Sequence, residues 1–151
     1  MANIRDLCTR KVVVTTRDTT VAVAAQIMRR QHVGTLVVCD EASGGRRIPV
    51  GVVTDRDIVV EVTAPELRAD TITVGDIMGR QLVTVSETEG LLQALEIMRV
   101  KGVRRLPVVR EDGHLVGIVS TDDLLSVLAS ELADLAGVSV RGRAREAAAR
   151  K

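Results

Sequence analysis

The sequence contains no phenylalanine, tyrosine or tryptophan. Modules that read nucleic acid by stacking bases on aromatic rings therefore have no tool here. Charge of one sign is lacking as well. The 21 Lys and Arg stand against 20 Asp and Glu, a net charge of +1, so no general field draws the chain to DNA, RNA or an anionic membrane. No stretch approaches the roughly 18 apolar residues of a membrane span, and residues 1–10 lack the apolar heart of a signal peptide, so a cytoplasmic location is expected. Cysteine is limited to Cys8 and Cys39, with no CxxC pair and no metal spacing, which reads as two buried free thiols. His32 and His114 stand far apart without a cysteine or acid cluster, and neither points to a metal site. There is no Gly-x-Ser-x-Gly, no paired His and Cys, and no phosphate loop ending in Gly-Lys-Ser/Thr, so no enzyme activity is expected.

What is present is an ordinary globular composition over 151 residues: 46% apolar, 27% charged, and valine at roughly one residue in six. That length suits one compact domain or two small units too intimate to fold apart. The abundance of branched side chains suits strands and a core of small residues. Residues 141–151 are locally basic and read as a solvated end with a weak helical tendency rather than a nucleic-acid arm.

Sliding the chain along itself exposes a repeat. Ile4-Arg5-Asp6-Leu7 lies over Val74-Gly75-Asp76-Ile77 at a displacement of 70, and Ala24, Ile27, Met28 and Arg29 then fall on Ala94, Ile97, Met98 and Arg99. Val33, Leu36 and Val38 fall on Val103, Leu106 and Val108. Beyond that the displacement drops to 66, which lays Gly51-Val52-Val53-Thr54-Asp55-Arg56-Asp57 over Gly117-Ile118-Val119-Ser120-Thr121-Asp122-Asp123. The four extra residues of the first copy read as a surface loop around 42–47, where the second copy has the tight turn Asp112-Gly113.

Each copy reads as a short helix (4–8; 74–78), an extended run (12–15; 82–85), an amphipathic helix, two strands and a closing helix from about Asp55 or Thr121. Asp18 and Ser86 offer helix caps. Val21, Ala24, Ala25 and Met28, or Leu91, Leu92, Leu95 and Met98, form the apolar helix faces expected to pack on a sheet. The two strands are expected at 36–39 and 49–53, and at 106–109 and 115–119, antiparallel because so short a turn joins the second pair. Met28 and Met98 read as core fillers rather than metal ligands.

Twice over, an amphipathic helix ends Ile-Met-Arg, a strand follows (Val103-Arg104-Arg105-Leu106-Pro107-Val108 in the second copy), and Gly-Ile-Val-Ser-Thr-Asp-Asp or its variant closes the unit. This resembles a tandem pair of CBS domains, the Bateman module, over almost the whole chain. The resemblance implies an α+β fold of two β-α-β-β-α repeats, packed by their sheets around a pseudo-two-fold axis. The expected division is 4–62 for the first repeat, 63–73 for a linker, 74–131 for the second repeat and 132–151 for a C-terminal tail. It further implies a free-standing regulatory sensor for AMP, ADP or ATP, with NAD or S-adenosylmethionine as further candidates, held in clefts between the repeats. No cofactor is implied. A homodimer built through the helices and an unidentified downstream protein are the expected partners, and the competing reading is a ligand-independent interaction scaffold of the same fold.

An adenosine nucleotide offers a flat apolar base, a vicinal diol and an anionic chain. By family position Asp57 and Asp123 would accept the ribose hydroxyls, as acids do in dinucleotide-binding folds. Thr54 and Ser120 would donate to phosphate or ribose oxygen, helped by the first N–H groups of the following helix. Arg56 adds charge to one site, and Arg104 and Arg105 match phosphate-approaching positions. Walls of Val12 and Val13, or Leu82 and Val83, with Val33, Val103 and Pro107 nearby, would hold the base. Because the resemblance implies pockets that cross the axis, Asp123, Ser120 and both arginines are paired with the first repeat's walls, and Asp57, Thr54 and Arg56 with the second's. The competing reading of Thr54–Asp57 and Ser120–Asp123 is a helix-capping box, and that of the arginine pair is a solvated surface pair. Gly34-Thr35 in place of the arginines, and Asp122 in place of Arg56, make the two sites unequal.

Overall fold

The computed structural model describes residues 3–79 and 81–150. Its elements run α1 (Ile4–Leu7), β1 (Val14–Thr15), α2 (Val21–Gln31), β2 (Thr35–Ala42), β3 (Arg46–Thr54), α3 (Asp55–Ile58), α4 (Val74–Ile77), β4 (Val85–Ser86), α5 (Leu91–Lys101), β5 (Arg105–Val109), β6 (Leu115–Ser120) and α6 (Thr121–Ala149). A π-helical turn, Val59–Thr63, continues α3. The strands form two three-stranded sheets of identical order, β1-β2-β3 and β4-β5-β6, each with one parallel and one antiparallel pairing.

Burial alternates along β3 and β6, so each sheet has one face toward its helices and one toward the other sheet. On the helix side, Leu36, Val38 and Val53 pack with Ala24 and Met28 of α2, and Leu106, Val108 and Val119 pack with Ala94 and Met98 of α5. Between the sheets, Val37 and Cys39 meet Leu115, with Val12, Val14, Val52 and Ile118 around them. This shared layer makes the two repeats one body, since either sheet alone would leave that face wet.

The leading helices are exchanged. Ile4 is buried in the second repeat's core, and Val74 in the first's. The exchange is anchored by matching hydrogen bonds: Ile4 N–H to Glu89 O (2.8 Å) and Arg5 N–H to Glu87 O (3.1 Å) on one side, Val74 N–H to Thr19 O (2.8 Å) and Gly75 N–H to Arg17 O (2.9 Å) on the other. Every pair is related by the displacement of 70, so the repeat in the sequence is a pseudo-two-fold in space. Gly117 and Gly51 allow the close approach this requires, because an added Cβ would stand 2.5 Å from Cys8 Sγ or 2.8 Å from Met78 Sδ.

Several local expectations are corrected. Asp18 and Ser86 do not cap the amphipathic helices. Thr20 caps α2 by accepting from Val23 N–H (3.3 Å), and Gly90 precedes α5. Leu92 and Leu95 lie 56% and 37% exposed while Ala94 is buried, and Ala25 is exposed, so each apolar face is narrower and rotated from its expected position. The four extra residues lengthen the β2–β3 hairpin instead of forming a loose loop, leaving a turn at 43–45 in which Gly44 and Gly45 take positive φ. Extended chain before the second sheet is regular only at Val85–Ser86. Residues 132–149 continue α6 without a break. Burial pushes the Cys39 thiol up to about 11 and raises that of Cys8.

Candidate functional site

Two clefts open between the repeats. The first, of about 320 Å³, is walled on one side by Val12 and Val13, which lead into β1, and by Val33 at the α2–β2 junction. Across the axis stand Arg105, Ile118, Ser120 and Asp123. The expected grouping of Asp123, Ser120 and one arginine with the first repeat's walls is thus assembled in space. Lys11 and His32 also line this cleft, with Thr9, Gly34 and Thr35. Sequence reasoning weighed His32 only as a metal ligand and passed over Lys11, although Lys11 directly precedes the wall. His32 reaches the cleft because it ends α2 in the left-handed conformation (φ 54°).

The second cleft, of about 400 Å³, gathers Val52, Thr54, Asp55 and Arg56 with Gly102, Val103, Arg104 and Arg105. Arg104 therefore lines this cleft and not the first. Arg104 sits in the bend just before β5, and Arg105 is the first residue of that strand, so the two leave the backbone in different directions. Thr35 and Arg105, equivalent by the displacement of 70, line both clefts. Thr35 Oγ1 is buried without a hydrogen-bond partner among the described residues.

Four expected members stand apart from the second cleft. Asp57 is not among the residues that line it. Leu82 and Val83 line a separate hollow with Thr84, Ile97 and Lys101. Pro107 is buried in β5 opposite Ile118 and lines neither cleft. Pro107 itself accounts for part of this. In the first repeat Val37 N–H donates to Val13 O (3.1 Å), drawing the wall onto the sheet; the equivalent of Val37 is Pro107, which has no N–H to give Val83.

Both capping boxes are formed. Asp57 Oδ2 accepts from Thr54 N–H (2.7 Å) and Oγ1 (2.8 Å), and Asp123 Oδ2 accepts from Ser120 N–H (2.7 Å) and Oγ (2.6 Å). Each hydroxyl accepts in return from the aspartate N–H at 3.2 Å. The hydroxyl protons of Thr54 and Ser120 are thus turned to carboxylates rather than into the clefts. The first N–H groups are largely used as well: Asp55 N–H donates to Gly34 O (3.0 Å) and Thr121 N–H to Arg104 O (2.9 Å). All capping bonds of Asp123 use Oδ2, and Oδ1 makes no hydrogen bond among the described residues.

The inequality at Gly34 has a steric cause. A Cβ at Gly34 would stand 2.9 Å from Asp55 Oδ2, so a counterpart of Arg104 in the first repeat would require the Asp55 carboxylate to turn aside; the second has Thr121 where the first has Asp55. The first cleft therefore combines one carboxylate with Lys11, His32 and Arg105, while the second combines Asp55 with Arg56, Arg104 and Arg105.

The CBS domain family model matches residues 4–63 and 74–130, and the chain belongs to that family. An uncharacterized protein of Methanopyrus kandleri is 35% identical over 119 residues, 78% of this chain and 59% of that protein. The Hypoxic response protein 1 of Mycobacterium tuberculosis is 33% identical, over 82% of this chain and 83% of its own length. A crystal structure of Hypoxic Response Protein I with two coordinated zinc ions superposes with a TM-score of 0.70 at 32% identity, covering 83% of this chain and 98% of that one. Among the described residues here, no three His, Cys, Asp or Glu side chains are gathered to hold a metal. A CBS domain pair in complex with 5-methylthioadenosine and S-adenosyl-L-methionine shares the fold at a TM-score of 0.74 and 22% identity, covering 87% and 98% of the two chains. CBS domain pairs are typically regulatory ligand-binding modules. No helix among the described residues is long and apolar enough to cross a membrane.

Proposed function

We propose that the protein is a non-enzymatic regulatory sensor that binds an adenosine-bearing ligand (AMP, ADP, ATP, NAD or S-adenosylmethionine) in the first cleft and signals through assembly or a partner protein. The observation that carries this reading is the convergence of Asp123 with the aliphatic walls Val12, Val13 and Val33 and with Lys11, His32 and Arg105 in a cleft of about 320 Å³, a volume within the ligand-pocket range. Asp123 Oδ1 accepts the ribose diol while Oδ2 keeps α6 capped. The aliphatic walls sandwich the base. Lys11 and Arg105 face the anionic chain, and the buried Thr35 hydroxyl gains a partner. Because each repeat supplies part of the lining, the ligand favours whichever relative arrangement of the halves holds both parts at once, and it shifts the population only by that difference in affinity. Cytoplasmic action and a homodimer belong to the same reading.

A second reading, a constitutive interaction scaffold, draws support from the exposed Leu92, Leu95 and Val100 on α5 and from capping boxes that occupy both Thr54–Asp57 and Ser120–Asp123. Calorimetric titration with the five ligands, on protein freed of carried-over nucleotide, separates the two. The sensor reading expects saturable heat with at least one of them; silence with all five favours the scaffold.

A further inference from the structure

The helix α6 runs on for 29 residues, about 43 Å. Only its start is held: Leu124 is buried in the second repeat's core, and Val127 and Leu128 pack partly against it. From residue 129 to residue 150 every residue is exposed except Gly137, which is half-buried. Leu125, Leu132 and Leu135 are 62%, 66% and 66% exposed. A helix with Gly137, Val138, Ser139, Val140 and Gly142 in its middle is a poor one by propensity and does not sustain itself in water, so something covers it.

Two features of the helix say what. Leu125, Leu128, Leu132 and Leu135 follow one another at intervals of three, four and three, the narrow seam of a two-helix coiled coil. Charge along the helix is also segregated. Asp122, Asp123, Glu131 and Asp134 are its only charged residues up to Val140, whereas Arg141, Arg143, Arg145 and Arg150 face a single acid, Glu146, beyond it.

We propose that α6 pairs antiparallel with α6 of a second copy of this chain, Leu125 over Leu135 and Leu128 over Leu132, about a centre near Ser130. In this register Arg141 of each helix lies within a turn of Asp122 of the other, Arg143 and Arg145 run just past that acidic start, and Glu131 is the one charged residue set beside its own copy. Parallel pairing would set Arg141, Arg143 and Arg145 against their own copies and is disfavoured by like-charge repulsion. A nucleic-acid partner would use the arginines but leave the leucine seam uncovered and meet the acidic half. The inference is independent of any ligand in the clefts.

Site-directed cross-linking of the full chain with a short bismaleimide tests it, with the native chain as the blank. Ala129→Cys is expected to give a covalent dimer, because the two positions lie two residues apart along the paired axes. Ala147→Cys is expected to give none, its two copies being about 50 Å apart. Adding Leu132→Glu and Leu135→Glu to the Ala129→Cys chain is expected to weaken pairing at least ~100-fold and remove the cross-link. Both leucines are exposed, so the body stays folded. Reversing Arg141, Arg143 and Arg145 to Glu is expected to lower the yield several-fold at low salt. Efficient linking at Ala147→Cys, none at Ala129→Cys, a link that survives the leucine changes, or indifference to charge reversal would each overturn the proposal.

Discussion

The two clefts are built from the same repeat, yet only one collects its parts. In the first, the wall at Val12 and Val13 is tied to β2 through Val37 N–H and faces Asp123 across the axis. In the second, Pro107 replaces the tying residue, the wall at Leu82 and Val83 lines a hollow of its own, and Asp57 stands outside the cleft. A duplicated fold therefore preserves its packing with high fidelity while single backbone donors and single glycines change how each cleft is lined. The hydrogen bonds that exchange α1 and α4 match pair for pair, but a side chain at Gly34, the counterpart of Arg104, would press on the Asp55 carboxylate.

The largest expected contrast is between the two aspartates. Both cap a helix, so Asp57→Ala and Asp123→Ala should each cost about 0.5–2 kcal/mol in denaturant unfolding. Only Asp123→Ala should also weaken ligand binding, by ~10- to 100-fold, through loss of a charge-assisted acceptor. Equal affinities in the two variants would erase the distinction between the clefts.

Packing at the exchanged helices gives the next contrast. Gly117→Ala drives a methyl to 2.5 Å from Cys8 Sγ and 3.1 Å from the Thr9 carbonyl, whereas at Gly51 the nearest atom is Sδ of the flexible Met78. Thermal unfolding should show a loss of about 1–3 kcal/mol for Gly117→Ala and a smaller one for Gly51→Ala.

Restoring a donor should narrow the gap between the clefts. Pro107→Val gives Val83 O a partner and is expected to add about 0.5–1.5 kcal/mol to stability, with slower amide exchange at residue 107 than at neighbouring exposed positions. Destabilisation would show that the second wall is held away by something other than the missing N–H.

The smallest effect is acid sensitivity. The Thr73 N–H and hydroxyl hold the Asp76 carboxyl below its usual value, and the His114 N–H does the same for Asp112. A depressed folded pKa adds stability above the unfolded value near 3.8, and that stability disappears as pH falls through the folded pKa. Urea midpoints should therefore be flat from pH 7 to 5 with respect to these groups and fall below about pH 4. Asp76→Asn should flatten part of that fall.

Much of this was legible in the sequence, and the remainder fails for identifiable reasons. The twofold repeat, the hairpins and the helix starts near Asp55 and Thr121 follow from local patterns, whereas the cross-axis grouping of Asp123 with Val12 and Val13 is what the resemblance to CBS domain pairs implies. The exchange of α1 and α4 left no local mark, because Ile4 and Val74 look the same whichever core they enter. The buried face of α5 was misjudged because three leucines outweighed Ala94 in a hydrophobicity reading, whereas close packing on β5 selects the small residue. Lys11 and His32 were missed because the conformation that ends α2, and not any motif, turns His32 to the cleft. Pro107 reads as a wall from the sequence, yet its consequence lies in the donor it lacks.

The central claim, one assembled cleft and one dispersed, is tested most directly by a crystal structure of the chain grown with the tightest of the five ligands. The account predicts density in the first cleft, with the sugar within hydrogen-bond distance of Asp123 Oδ1 and the anionic end toward Lys11 and Arg105. A ligand seated only beside Arg56 and Arg104, with the first cleft empty, would contradict it.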